Sequence, residues 1–197
     1  MKQIIALAGI ALTVSPAAAG DVFTDSASFM ANLVGPSYTE GFDSVGPGVS
    51  DPLSFDDGNF AYVISPVGGN SPSLFNDPGV ISTDNALDGL QIVFTTGNVT
   101  AVGGNFWSTD ISLLPIVAEV TINLSDGQST TFTSSSPGDY RGFTSDVAID
   151  SIEIFADDSV TNAWSTLDNL TVGRAIPAPG AVAVLGLGGL LAGRRRR

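Results

Sequence analysis

The chain of 197 residues contains no cysteine and no histidine. Without cysteine there is no disulfide to staple the fold, so it must be held by its core alone, helped at most by a metal. Without histidine the chain lacks the commonest general base, the commonest zinc ligand and every Ser-His or Cys-His nucleophile arrangement. Basic residues are almost as scarce: seven Lys and Arg stand against 20 Asp and Glu. Five of the seven, Lys2 and Arg194 to Arg197, lie at the extreme ends, leaving Arg141 and Arg174 to oppose all 20 acids, a net charge of −18 for the body. Such a body repels phosphate backbones and anionic lipid surfaces, so nucleic acid is not an expected partner. It does attract divalent cations, and a secreted protein meets calcium at levels that fill weak sites. No Gly-x-Ser-x-Gly elbow, Walker loop, dinucleotide fingerprint or metalloprotease helix occurs, and no catalytic residue is assigned.

Both ends carry targeting patterns. Lys2 supplies a positive n-region, Ile4 to Val14 an apolar run, and Ser15-Pro16-Ala17-Ala18-Ala19 a small-residue cleavage site with Ala17 and Ala19 in A-x-A spacing. Residues 1–19 therefore read as a secretory signal peptide cut after Ala19. At the other end a Pro-rich break, Ile176 to Gly180, precedes the polar-free run Ala181 to Gly193 and then Arg194-Arg195-Arg196-Arg197. An apolar run capped by a basic cluster reads as a segment held at a membrane with its arginines on the cytoplasmic side. It is a poor permanent anchor, since 14 residues of helix from Gly180 to Gly193 span only ~21 Å against a hydrocarbon core of about 30 Å. Five glycines in that span weaken the helix further. A processing signal fits better than a resident anchor.

The tail resembles the C-terminal sorting signal of PEP-CTERM proteins: a Pro-x-Pro motif, a short hydrophobic helix and a terminal Arg cluster. Here the motif residues are Pro177, Ala178, Pro179 and Gly180, followed by Arg194 to Arg197; Ala178 departs from the family's usual Glu. The resemblance implies removal by a membrane-embedded exosortase and delivery to the cell envelope or extracellular matrix of a Gram-negative bacterium, with membrane contact only through this signal.

Between the signals, residues 20–175 make one domain of ordinary size. A short helix is expected after Asp25 or Ser26, with Phe29, Met30, Leu33 and Val34 as its apolar stripe before Gly35-Pro36. Strands are expected near Tyr38–Phe42, Phe60–Ser65, Leu90–Thr95, Val99–Trp107, Val117–Leu124, Ser129–Thr133, Ser151–Phe155 and Leu167–Val172, several of them alternating cleanly. Ser125-Asp126-Gly127-Gln128 predicts a hairpin pairing Glu119–Leu124 with Gln128–Thr133. The stretches Gly46–Gly58 and Pro66–Asp88, rich in Gly, Pro, Ser and Asn, read as long loops with one short strand each. The fold expected is all-β: an antiparallel β-sandwich, jelly-roll-like, with one short N-terminal helix.

Three fragments of the body, Thr39–Asp43, Val99–Phe106, and Gly142–Ser145 with Ile149–Ile154 and Leu167–Gly173, resemble lectin-like β-sandwiches that often precede this sorting signal. β-Jelly-roll carbohydrate-binding modules show a similar plan, an acid in the first strand and an Asp opening the last, sharing a structural calcium. The resemblance implies Glu40, Asp43 and Asp168 as calcium ligands, with Asn169 beside them. Hard oxygen donors on adjacent strands are what calcium requires. The alternative is that Asp168-Asn169 simply bonds turn amides. The acid-rich spots Asp56-Asp57 and Asp157-Asp158 read as solvated turns.

Trp107, Tyr140 and Trp164 are core residues or, if exposed, a platform for sugar stacking. Because Phe106 and Trp107 alternate, only one of that pair is free of the core; Trp164, after the 157–162 loop, is the better candidate. The function expected is a secreted, non-enzymatic, structural or adhesive component of the exopolysaccharide layer. A carbohydrate-binding module using Trp107 or Trp164 and a glycoside-active enzyme with two carboxylates facing one cleft are the alternatives.

Overall fold

The computed structural model of the chain describes residues 20–157, 159 and 162–177. The expected signal peptide at 1–19, and the sorting signal from Ala178 through Arg197, lie outside the described residues. Among the described residues no helix is long and apolar enough to cross a membrane.

In chain order the elements are β1 (Val22–Phe23), α1 (Ser26–Met30), β2 (Tyr38–Glu40), β3 (Gly48–Ser50), β4 (Leu53–Asp56), β5 (Ala61–Val67), β6 (Leu74–Asp77), β7 (Val80–Thr83), β8 (Gly89–Phe94), β9 (Ala101–Thr109), β10 (Pro115–Ile116), β11 (Ala118–Leu124), β12 (Ser129–Ser134), β13 (Tyr140–Thr144), β14 (Ser151–Ala156) and β15 (Trp164–Gly173). All pairings are antiparallel. One sheet has the order β12-β11-β14-β8-β5-β4; the other runs β1-β13-β9-β15-β7-β6-β3, with β10 also on β9 and β2 also on β15. The two sheets face each other across one core of Phe42, Phe60, Tyr62, Ile64, Leu90, Ile92, Phe106, Ile122, Phe143, Ile152, Ile154 and Leu167, among others. This is the expected antiparallel sandwich, with the chain passing repeatedly from one sheet to the other.

The predicted hairpin forms in register: Ala118 pairs with Ser134 and Asn123 with Ser129. Val120, Ile122 and Leu124 are buried while Thr121 and Asn123 stay partly open, the period of two that β-branched alternation dictates. The helix is shorter than its apolar stripe suggested. It ends at Met30, so Phe29 is buried but Met30 and Val34 are 44% and 48% exposed. Leu33 and Val34 instead leave the helix and bond the segment just past β15: the Val34 N–H donates to the Arg174 carbonyl at 2.8 Å, and Leu33 bridges Ala175. Asp25 caps the helix, accepting the Ser28 N–H at 2.8 Å, and this bond with the Ser28 hydroxyl holds its carboxyl below the usual range.

The two expected long loops are more ordered than their composition implied. The first holds β3 and β4; the second holds the end of β5 and the β6–β7 hairpin. Three- and four-residue strands are too short for their alternation to stand out, and the Pro78-Gly79 turn between β6 and β7, with Gly79 at φ +87°, looks locally like any loop. Strand β13 is hidden for another reason. It carries Gly142, and a Cβ there would stand 2.6 Å from the Phe29 ring. Phe29, Tyr140 and Ala101, with Phe23, Leu33 and Ala175 around them, form a second small core on the outer face of the nine-stranded sheet.

The loop after β5 is pinned by Asp88, which is only 2% exposed. Its carboxylate accepts the backbone N–H of Asn70 at 3.0 Å and of Ser71 at 2.7 Å, and the Asn70 side-chain amide at 2.9 Å. Burial pushes this carboxyl up, but the bonds from Asn70 and Ser71 outweigh it and hold the group below its ordinary value.

Two outcomes follow. Gly142→Ala should cost about 1–3 kcal/mol, because Phe29 must move to admit the methyl group, read as a lowered melting midpoint. Asp88→Ala should cost about 1–3 kcal/mol by removing three part-buried hydrogen bonds to a charged group. Because the folded-state pKa of Asp88 is depressed, its contribution is present above the unfolded value and lost as pH falls through the folded one. The gap in midpoint between wild type and Asp88→Ala should therefore narrow below about pH 4; a gap constant from pH 7 to pH 3 would contradict the assignment.

Candidate functional site

The last strand positions every candidate. β15 lies against β9 along its whole length, from Trp164↔Thr109 to Gly173↔Ala101. On its other side it changes partner, meeting β7 at Thr166 and Leu167 and β2 from Leu170 to Val172. Between these the register shifts, and Asn169 adopts φ +50°, a left-handed conformation that Asn tolerates better than most residues. Asp168 thus sits inside a strand at a bulge; it does not open the strand, as the resemblance implied, because β15 already begins at Trp164. Both Asp168 oxygens face its neighbour: the Asn169 backbone N–H donates to Oδ1, and the Asn169 amide to Oδ2 at 2.7 Å.

Asp43 joins this corner. Burial raises the Asp168 carboxyl above its usual range, the Asn169 N–H opposes the shift, and the Asp43 charge adds to it. A Cβ on Gly41 would stand 3.7 Å from Asn169 Oδ1 and 3.8 Å from Asp43 Oδ2; one on Gly79 would stand 3.5 Å from Asp43 Oδ1 and 3.9 Å from the Gly41 carbonyl. Asn169 Oδ1, both Asp43 oxygens and the Gly41 carbonyl thus lie close to these two glycines, where there is no side chain between them. Glu40 is not part of this corner. Its Oε2 accepts the Tyr38 hydroxyl at 2.6 Å and its Oε1 the Phe42 N–H at 2.9 Å, so the side chain is folded back on its own strand. Among the described residues no three His, Cys, Asp or Glu side chains gather as metal ligands; of the implied trio of Glu40, Asp43 and Asp168, only Asp43 and Asp168 share this corner, and a metal there would have to compete with Asn169 for the Asp168 oxygens. That donor set fits a calcium ion, which is content with carboxylate, amide and carbonyl oxygens.

The aromatic candidates separate sharply. Trp107 is only 3% exposed, so it offers no stacking surface, and Tyr140 is 7% exposed. The alternation argument fails at Trp107 because both faces of β9 are covered: eight of its nine residues are buried. Trp164 is half-buried and lines a groove with Phe75, Thr83, Asp84, Asp110 and Ile111. Leu74, Ile81, Phe106 and Leu167 point into the core, so their strand neighbours Phe75, Ser82, Trp107 and Thr166 lie on the opposite face of the nine-stranded sheet. Registers place these four in one transverse row. Under the groove, Thr166 Oγ1 meets Ser82 Oγ at 3.1 Å and Thr109 Oγ1 at 3.0 Å, all three residues being buried. Sequence reasoning finds Trp164 but misses Phe75, Asp84 and Asp110, since two acids in turns look like any of the chain's 17 aspartates.

The fold and its corners define an all-β sandwich with a pair of acids at one bulge and an aromatic groove on one outer face. No protein-family model matches the chain, and no curated protein matches it.

If calcium occupies the Asp43–Asp168 corner, millimolar calcium should raise the melting midpoint and EDTA should reverse the rise. Asp43→Asn should abolish that response while leaving the EDTA midpoint unchanged or higher, because it removes a like charge beside Asp168. An unchanged wild-type midpoint on adding calcium removes the metal.

Proposed function

We propose that the chain is a secreted, non-enzymatic β-sandwich, exported through its N-terminal signal and sorted by an exosortase-type enzyme to the cell envelope or the extracellular polysaccharide layer, where it is a structural or adhesive component. One observation carries this reading: an apolar run ending in Arg194–Arg197 at one end and a signal-peptide pattern at the other enclose a body of net charge −18. The chemistry of the body agrees with it. With no His or Cys, the polar machinery left is carboxylates, and many of these are engaged in turns. Asp57 accepts the Phe60 N–H at 2.8 Å, and Asp139 Oδ2 accepts the N–H groups of Ser135 and Ser136 at 2.7 and 2.9 Å. Asp43, Asp168, Asn169 and the Gly41 carbonyl would hold a calcium that neutralises the paired charges and stiffens the bulge.

A second reading, a carbohydrate-binding module, is favoured by the half-buried Trp164 in its groove. A glycoside-active enzyme would need one of two carboxylates facing the same groove to carry a proton at neutral pH.

Intact-mass measurement of the protein recovered from culture tests the address. The expected species lacks residues 1–19 and the arginine-terminated tail and comes from the medium or the envelope. A cytosolic species still ending in Arg197 would refute the proposal.

A further inference from the structure

We propose that the groove on the outer face of the nine-stranded sheet binds one pyranose ring of a neutral glycan, with Trp164 stacking on the ring and Asp84 and Asp110 accepting its hydroxyls. This deepens the adhesive reading above and rests on it.

The size of the groove sets the ligand. Its volume is about 180 Å³, below the ~300–1,000 Å³ of sites that enclose drug-sized molecules, so it takes a single ring and leaves the rest of a chain outside. Its walls are amphipathic in the way a sugar is. Trp164 and Phe75 give flat apolar surface suited to the C–H face of a pyranose, while Asp84 and Asp110 stand at the polar rim. The hydroxyl groups underneath are already paired: Ser82 donates to the Ser165 carbonyl at 3.1 Å and contacts Thr166, which contacts Thr109. Thr83, which also lines the groove, has a buried hydroxyl with no partner, and the other polar groups left for recognition are the two carboxylates. Asp110 Oδ1 is held by the N–H groups of Ser112 and Leu114 at 2.8 and 3.0 Å, and Asp84 Oδ2 by the Ser71 hydroxyl at 3.0 Å. That leaves the second oxygen of each carboxylate to accept ligand hydroxyls, in charge-assisted bonds stronger than neutral ones.

The charge around the groove sets the ligand's sign. Among the described residues no lysine or arginine lines it. Arg141 is engaged elsewhere, 3.7 Å above the Phe132 ring and donating to the Tyr140 carbonyl. Two aspartates without a cation repel uronic acids and sulfated or phosphorylated sugars, and accept neutral ones.

The rim is built in advance. Leu113 is held at φ +57°, a conformation that costs a non-glycine residue about 1–3 kcal/mol. The Asp110 bonds to Ser112 and Leu114, with the Leu113 N–H donating to the Asp110 carbonyl at 3.0 Å, keep it there. The result is that Ile111, 80% exposed, is fixed beside the groove as an apolar wall. A rim that needs no ordering on binding loses less affinity to entropy.

The test is native affinity electrophoresis of the full chain, taken from whichever fraction holds it, through gels containing dextran, galactomannan, xyloglucan or, as the acidic arm, polygalacturonate. Retardation is expected in at least one neutral gel and not in polygalacturonate. Trp164→Ala should weaken it about tenfold or more, as loss of a central aromatic anchor does, with Trp164→Phe retaining part. Ile111→Asp, at a site too exposed to disturb folding, should weaken it too, which covers the case in which Trp164→Ala fails to fold. Mobility unchanged in all three neutral gels overturns the proposal. So does retardation that Ile111→Asp and Trp164→Phe leave untouched, or retardation in polygalacturonate equal to that in the neutral gels. A protein found only in the cytosol yet retarded by a neutral polysaccharide would remove the extracellular address and leave the groove standing.

Discussion

Strand β15 is the constraint on which the rest depends. It is bonded to β9 along one side and to β7 and then β2 along the other, so three otherwise separate pieces of the nine-stranded sheet are joined only through it. Where its partner on one side changes from β7 to β2, its register against β9 also shifts, at the bulge of Asp168-Asn169. An Asn at φ +50° and an Asp that bonds its own neighbour's amides are the residues a break of this kind requires. The pair's structural role and its closeness to Asp43 have the same origin: β2 and the residues after it are brought to β15 where the partner changes.

A second theme is the use of aspartate to fix loops in a chain that has no cysteine. Seventeen of the 20 acids are Asp and three are Glu. The short side chain returns to backbone N–H groups a few residues away, as Asp25, Asp57, Asp110, Asp126, Asp139 and Asp157 all do. Each such bond is modest, on the order of 1 kcal/mol, but it fixes the loop that presents it. The acidity of the chain is therefore as much a property of its turns as of its surface.

Much of the sandwich is legible in the sequence where strands are long and one face is buried. Val120, Ile122 and Leu124 alternate with polar residues and are followed by Asp126-Gly127, and that local information is enough to place the β11–β12 hairpin. Strands β6, β7 and β13 are not legible, because four or five residues with a glycine or a turn proline nearby show no period. Trp107 marks another limit. Alternation says which side of β9 it takes, but whether that side is covered depends on non-local packing. The Asp43–Asp168 corner is suggested by resemblance alone; the structure brings Asp43 near Asp168, while the Glu40 carboxylate is taken up by Tyr38 and Phe42. The groove is harder still to foresee: Phe75, Asp84, Asp110 and Trp164 come from three distant stretches that only the β6–β7–β15–β9 pairing collects.

The two ends of β15 have different neighbours. Trp164 opens the strand at the groove, and Gly173 closes it where Leu33, Val34 and Asn32 take hold of the chain through Ala175, Arg174 and Ile176. Nine residue steps separate them, about 30 Å of extended chain. Any tether attached beyond Pro177 therefore grips the body at the far end of the strand from the groove. A molecule held by such a tether would present the groove on the side away from it.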